Sequence, residues 1–246
     1  MSVDDRTMRG DDPVWDRLAE IDPEFLDRYD EIASHPMDGP LDEKTAELVA
    51  LASHAACTTL YEPGIRRHVG RAFDAGATVD EVMDVIEMIS AIGVHAVTEG
   101  VPVLVDEAGL PEDAVEAELE KQEQLRDEFE AERGYWDELW DQVLRIDHEY
   151  FEHYLNYSAH PFKSGPLDPM VREFVIIAAD ASTNHLYLPG LRIHIRNALG
   201  HGATREQVMA VIEIASVIGI NTVTESLPIV LEEAAARDML PDDVEK

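Results

Sequence analysis

The stretch Leu191–Ile220 reads LRIHIRNALGHGATREQVMAVIEIASVIGI. It has a counterpart at Ile65–Val94, IRRHVGRAFDAGATVDEVMDVIEMISAIGV, 126 residues earlier. Both copies run Arg-x-His, then Ala, then Gly-Ala-Thr, then an apolar segment that ends near a glycine. Working outward, residues 47–102 align with 173–228 without a gap, with 26 identities in 56 positions. Upstream, at an offset of 125, Trp15, Ile21, Asp22, His35 and Pro36 match Trp140, Ile146, Asp147, His160 and Pro161. The chain is therefore a tandem duplication. Its unit of about 110 residues is the size of a small domain and too long for a solenoid repeat.

Each unit reads as helical. Apolar residues recur at helical spacing, and no alternating strand pattern of any length occurs. A first helix is expected over roughly 13–33, ending near His35-Pro36, and a second over 42–58. A third starts at Pro63, where proline suits the first turn, and stops at Gly76. Thr78-x-x-Glu81 and Thr204-x-x-Gln207 are capping boxes that open the next helix. Residues 111–133 (PEDAVEAELEKQEQLRDEFEAER) read as an exposed acidic helix joining repeat 1 (1–110) to repeat 2 (134–246). Segments such as VMDVIEMISAIGVHAV are apolar on most sides, so they require burial on most sides. The two units are accordingly expected to pack against each other, with further association of the chain into a homo-oligomer.

The chain carries 19 basic against 52 acidic residues, a formal charge of −33, and only four lysines: Lys44, Lys121, Lys163 and Lys246. Such a surface opposes binding to nucleic acid and to anionic membrane. The acid is spread along both halves. That pattern fits a salt-rich cytoplasm, where the Debye length at ~1 M salt is about 3 Å; an acidic face for a partner protein is the alternative. The single cysteine, Cys57, excludes an intrachain disulfide. The opening residues MSVDDRTMRGDDP are polar and acidic, so neither signal nor transit peptide is expected. No uninterrupted run of 18 apolar residues occurs, so no membrane span is expected, and the expected location is the cytoplasm.

A set of polar residues returns in both halves: Glu47, Tyr61, Arg66, His68, Glu87, Thr98 and Glu99, matched by Glu173, Tyr187, Arg192, His194, Glu213, Thr224 and Glu225. Glu47 lies among apolar residues at ELVALA, where an unpaired carboxylate is costly. A histidine on the adjacent antiparallel helix would satisfy it. Such a Glu–His pair titrates near neutrality and suits acid–base chemistry; equally, it could be a buried ion pair that only ties two helices together. Arg66 and His68 are about 200° apart on a helix and do not share a face. Arg66 and Arg192 therefore belong to another pocket wall, to a subunit contact, or to one of the many acids. Tyr61 and Tyr187 precede the histidine helix, as substrate donors or as core caps. The glutamates at 87, 99, 213 and 225 are expected to pair with the arginines. Of His54, His68 and His95 only His68 recurs, the others becoming Asp180 and Asn221. With no HExxH and no Cys/His cluster, no metal site is expected.

Glu173, Leu191, Arg192, His194, Arg196, Ala198, Gly202, Thr204 and Gly219, with Glu47, Ile65, Arg66, His68, Ala72, Gly76, Thr78, Glu81 and Gly93, resemble the pattern of the carboxymuconolactone decarboxylase family. That family shares its fold with the alkyl hydroperoxidase D proteins. The resemblance spans nearly 200 residues. It implies an all-α fold of two tandem alkyl hydroperoxidase D-like repeats, assembled as rings; three two-repeat chains would make a pseudo-hexamer. The family's peroxidase branch carries a Cys-x-x-Cys pair where this chain has Tyr61 and Gly64, then Tyr187 and Gly190. That departure argues against thiol peroxidase chemistry. The decarboxylase branch implies a small anionic organic substrate, a carboxylated lactone or keto acid, and no cofactor. On that reading His68 and His194 donate protons, Glu47 and Glu173 orient them, and Arg66, Arg192, Tyr61 and Tyr187 hold substrate. Other chemistry on the same scaffold, or a non-catalytic binding protein, are the alternatives.

Overall fold

The computed structural model describes residues 8–10, 12–111 and 116–240. Among them every regular element is helical: α1 (Val14–Ile21), α2 (Pro23–Met37), α3 (Glu43–Ala55), α4 (Glu62–Asp74), α5 (Val79–Ser90), α6 (His95–Ala108), α7 (Glu116–Arg133), α8 (Leu139–Ser164), α9 (Pro169–Ala181), α10 (Leu188–Gly200), α11 (Arg205–Ser216) and α12 (Asn221–Ala235). One-turn 3-10 segments, Ala91–Val94 and Val217–Ile220, precede α6 and α12. The expected first helix is two. Asp22 breaks it with φ −145° and ψ 76°, and its side chain accepts the Phe25 N–H at 2.9 Å. Asp147 does the same inside α8, with φ −155° and ψ 82°, accepting from Tyr150 N at 2.8 Å. An aspartate at the N-cap competes with the helix for its own backbone donors, so the break was duplicated with the repeat.

The chain divides into two compact units that do not follow the repeats: Met1–Ile89 with Leu167–Lys246, and Ser90–Pro166. In the first, α3 and α9, equivalent helices of the two repeats, pack on each other and on α4, α10 and α11. Residues Thr45–His54 of α3 and Arg172–Asp180 of α9 are all buried. A helix buried on every side must be apolar on every side apart from groups that find partners. Asp84 is one such group. It is buried, accepts the Leu167 N–H at 3.2 Å and lies 3.7 Å from the Arg172 guanidinium, tying α5 to the start of α9. The loops that follow α3 and α9 also meet, the Asn184 side-chain amide donating to the Thr58 carbonyl at 2.9 Å and to Thr59 Oγ1 at 2.8 Å.

The second unit has its own core of Val94, Leu125, Phe129, Trp140, Val143, Leu144, Phe151, Leu155 and Ala159. The joining helix α7 is thus more than an exposed acidic rod. Leu125 and Phe129, one turn apart, bury a stripe that its acidic composition hides. Val79–Ala108 and Arg205–Ala235 each contain an 18-residue window of mean hydropathy 1.6, by length and composition apolar enough to cross a membrane. The 3-10 turn falls inside each of these stretches.

Both capping boxes form. Thr204 Oγ1 accepts from Gln207 N at 3.1 Å, and Gln207 Oε1 accepts from Thr204 N at 2.9 Å. Thr78 and Glu81 repeat the exchange at 3.1 and 2.7 Å. Thr204→Ala is expected to cost about 1 kcal/mol in a denaturant titration. A loss under a few tenths would mean that water replaces the cap.

Candidate functional site

Each repeat presents its glutamate and histidine from adjacent helices. Glu47 projects from α3 and His68 from α4, with His68 Nδ1 2.7 Å from Glu47 Oε2. In repeat 2, Glu173 on α9 and His194 on α10 meet at the same 2.7 Å. The 21-residue spacing holds the pair because a connection of fixed geometry separates the helices. In it Leu60 and Leu186 adopt φ +46° and +48°. A leucine in the left-handed region is strained, and both repeats keep it. The following tyrosine N–H then donates back to the end of the preceding helix, Tyr61 to the His54 carbonyl and Tyr187 to the Asp180 carbonyl, each at 3.0 Å.

The two sites differ in what surrounds the pair. His68 is 0% exposed. Its ring lies 4.9 Å from that of His54, which lies 5.8 Å from Tyr61. The His54 Nδ1–H donates to the Ala50 carbonyl at 2.9 Å, and the Asn221 side chain also hydrogen-bonds the ring. A hydrogen bond of 2.8 Å joins the Tyr61 hydroxyl to Thr224 Oγ1. Asn221 and Thr224 belong to α12, so repeat 2 completes the site of repeat 1. Gly64 sits so close to His54 that a Cβ there would lie 2.1 Å from the ring; only glycine fits. In repeat 2 Asp180 stands where His54 does, and a Cβ on Gly190 would lie 2.4 Å from its carboxylate. His185 Nε2 is 3.9 Å from Asp180 Oδ1. The His194 side chain is 15% exposed, and the Asn197 amide approaches Glu173 Oε1 at 3.4 Å.

Burial sets the protonation of the first site. It pushes the Glu47 carboxyl up to about 7, against the opposing pull of Arg71, Arg67 and His54. It brings His54 down to about 3 and His68 well below its ordinary value, with neighbouring cations adding to the shift. A neutral carboxyl beside a neutral imidazole is the cheapest arrangement away from water. Asp180 is likewise pushed up to about 7 by burial, opposed by His194. The sign of the linkage for Glu47 follows. Its pKa in the folded protein exceeds the ordinary 4.5, so its contribution to stability is full below about 4.5. That contribution falls as pH rises to about 7 and is constant above. Glu47→Gln lacks this slope. The stability difference between wild type and variant, followed by denaturant titration at fixed salt, should therefore change between pH 4.5 and 7 in favour of the variant. A difference independent of pH would show that folding leaves the Glu47 carboxyl at its ordinary value.

Arg66 pairs with an acid, one of the alternatives its sequence left open: its side chain is 78% exposed and bonds Glu62 at 2.5 Å on the outer face of α4, away from the Glu–His pair. Arg192 is exposed on α10, and Glu87, Glu99 and Glu225 are exposed as well. The arginines near the pair are Arg67, beside Arg66 in sequence, and Arg71, whose Nη1 lies 4.0 Å from Glu47 Oε1. The signal for Arg71 was its helical spacing: three residues after His68, it shares that face. An apolar hollow of about 290 Å³ is lined by Phe25, Arg28, Tyr29, Ile32, Ser216, Val217, Gly219, Ile220 and Val223. Neither Glu–His pair is on its wall.

Comparison with known proteins bears on the family and the fold. Residues 23–106 and 148–232 each match the carboxymuconolactone decarboxylase family, one match per repeat. No curated protein matches the chain. A crystal structure from Burkholderia xenovorans LB400, described provisionally as a gamma-carboxymuconolactone decarboxylase subunit, is 42% identical. It aligns over 92% of each chain with a TM-score of 0.85. With two matching repeats and an all-α tandem fold, the chain belongs to the carboxymuconolactone decarboxylase family.

Proposed function

We propose that this protein is an enzyme that decarboxylates or isomerises a small carboxylated lactone or keto acid by acid–base chemistry, without a cofactor. The observation that carries the reading is the duplicated Glu–His pair at 2.7 Å, in which the contact to the glutamate occupies Nδ1 and leaves Nε2 for substrate. Loss of CO2 beside an unsaturated lactone leaves an electron pair that the conjugated carbonyl accepts as a dienolate. Hydrogen-bond donors stabilise that charge, a role for the Tyr61 and Tyr187 hydroxyls. An imidazole then protonates one carbon, a role for His68 and His194, with Glu47 and Glu173 fixing the ring and returning the proton. Arg66 and Arg192 are left out of this scheme because both point to solvent.

A panel of lactone diacids and β-keto acids, assayed in molar salt, tests the reading. CO2 release or lactone isomerisation that depends on the histidines is the expected result. The sealed environment of His68 favours one further point, that turnover in the resting chain belongs mainly to His194. The reading also includes assembly. Phe25, Ile32, Val79, Met83, Ile229 and Val230 are large, apolar and exposed on the single chain, more than a monomer ordinarily leaves to water. Light scattering in molar salt should give three times the 27.5 kDa chain mass; a monomer would remove the ring.

A further inference from the structure

Three buried polar atoms around the first site have no hydrogen-bond partner among the described residues: His68 Nε2, Arg67 Nε and the Tyr29 hydroxyl. Native interiors rarely leave such atoms unsatisfied without a reason. They gather around Arg67. Tyr29 and Arg67 interact electrostatically, and Arg67 acts on His68 as a neighbouring cation. The guanidinium lies 5.8 Å from the Trp15 ring centroid. Its one described hydrogen bond goes from Nη1 to the main-chain carbonyl of Met8. Alongside, Arg71 Nη2 donates to the Arg9 carbonyl at 2.6 Å.

The segment Met8–Gly10 thus lies as a strap across two guanidiniums that neighbour Glu47 and His68. Met8 is only 1% exposed. Gly10 is pressed so close that a Cβ would lie 2.7 Å from Arg67 Nε. The strap's own side chains add an anchor, the ion pair of Arg9 with Asp30 at 2.9 Å. A neutral carbonyl is a poor match for a guanidinium fork, which suits the two oxygens of a carboxylate. Repeat 2 has no equivalent, since Ile193 and Asn197 stand at the matching positions.

We propose that Arg67, with Arg71 beside it, is the seat for a carboxylate group of a small organic acid in repeat 1, and that the strap Met8–Gly10 occupies this seat with its carbonyls until such a ligand displaces it. The inference rests on the reading of Glu47–His68 as a reactive site, and it adds where the acid is held and what closes the site. It also accounts for the full enclosure of His68. With the strap down, the space that a carboxylate would take is filled with main chain. A ligand then binds only the fraction of molecules whose strap is lifted, and its apparent affinity is reduced by that fraction.

The test uses the full chain and maleate, an unreactive dicarboxylate, followed by calorimetry in molar salt. Arg9→Ala removes the anchor and is expected to tighten maleate binding about fivefold or more. That direction opposes the loss of a positive charge, so simple electrostatics cannot produce it. Adding Arg67→Gln should return binding to the wild-type level or below, whereas Arg28→Gln, whose exposed side chain pairs with Glu31 on α2, should leave it unchanged. Gly10→Ala, which pushes the strap off Arg67 sterically, stands in if Arg9→Ala does not fold. Maleate binding no tighter with the strap released, or tight binding that survives Arg67→Gln or is lost with Arg28→Gln, overturns the proposal. Because the readout is binding, those results leave turnover at His194 to be judged separately by the substrate panel.

Discussion

Replacing His68 and His194 together by Asn is expected to abolish turnover to within the background, a fall of about 10²–10⁴-fold. That is the range contributed by a positioned general acid or base. Asparagine keeps a hydrogen-bonding group near the glutamate, so the fold survives while the titrating imidazole is lost. The single variants separate the two repeats. His68 is wholly enclosed and the His194 side chain is 15% exposed, so His194→Asn should account for most of the loss and His68→Asn for little. Steady-state kinetics with circular dichroism as the folding control checks this. Unchanged turnover in the folded double variant would end the acid–base reading and leave the pairs as helix ties.

The largest effect on stability is expected from Phe129→Ala. Phe129 is at the centre of the second unit's core. Its ring stands edge-on to Tyr135 and Trp136 at 5.4 and 5.5 Å, and tilted to Trp140 and Phe151 at 5.5 and 5.8 Å. Truncation removes the transfer free energy of the ring and leaves a cavity that aromatic neighbours fill poorly, about 3–5 kcal/mol in all. Trp136 and Trp140 lie in this unit and Trp15 does not, so tryptophan fluorescence should report the early loss of structure there during a denaturant titration. A cost below about 1 kcal/mol would mean that α7 is not a member of the core.

Much of this was legible in the sequence, for identifiable reasons. The duplication exposed the Glu–His pair because drift had altered the residues around it and spared Glu47, His68, Glu173 and His194. The capping boxes and the helix order came from local chemistry that tertiary packing had no cause to override. What stayed hidden depended on contacts distant in sequence. Nothing local says that Thr224 would bond Tyr61 of the other repeat, or that Leu125 and Phe129 would turn an acidic helix inward. The arginines near Glu47 stayed hidden for a different reason. Arg66 was favoured because it recurs in repeat 2, whereas Arg67 and Arg71, the two near Glu47, have no counterpart there. Recurrence between repeats finds what they share and misses what makes one unlike the other.

The hydrogen bond between Tyr61 and Thr224 has a bearing on how the chain is made. Its partners are separated by 163 residues, and the unit that contains them is assembled from both ends of the polypeptide. At ribosomal rates of about 5–20 residues per second, the amino-terminal helices emerge roughly ten to thirty seconds before the segment that completes them. During that interval α3, apolar on nearly every side, has no α9 to cover it. Nascent protein is therefore most exposed to chaperone capture and to clumping with its neighbours on the polysome while the middle of the message is being read.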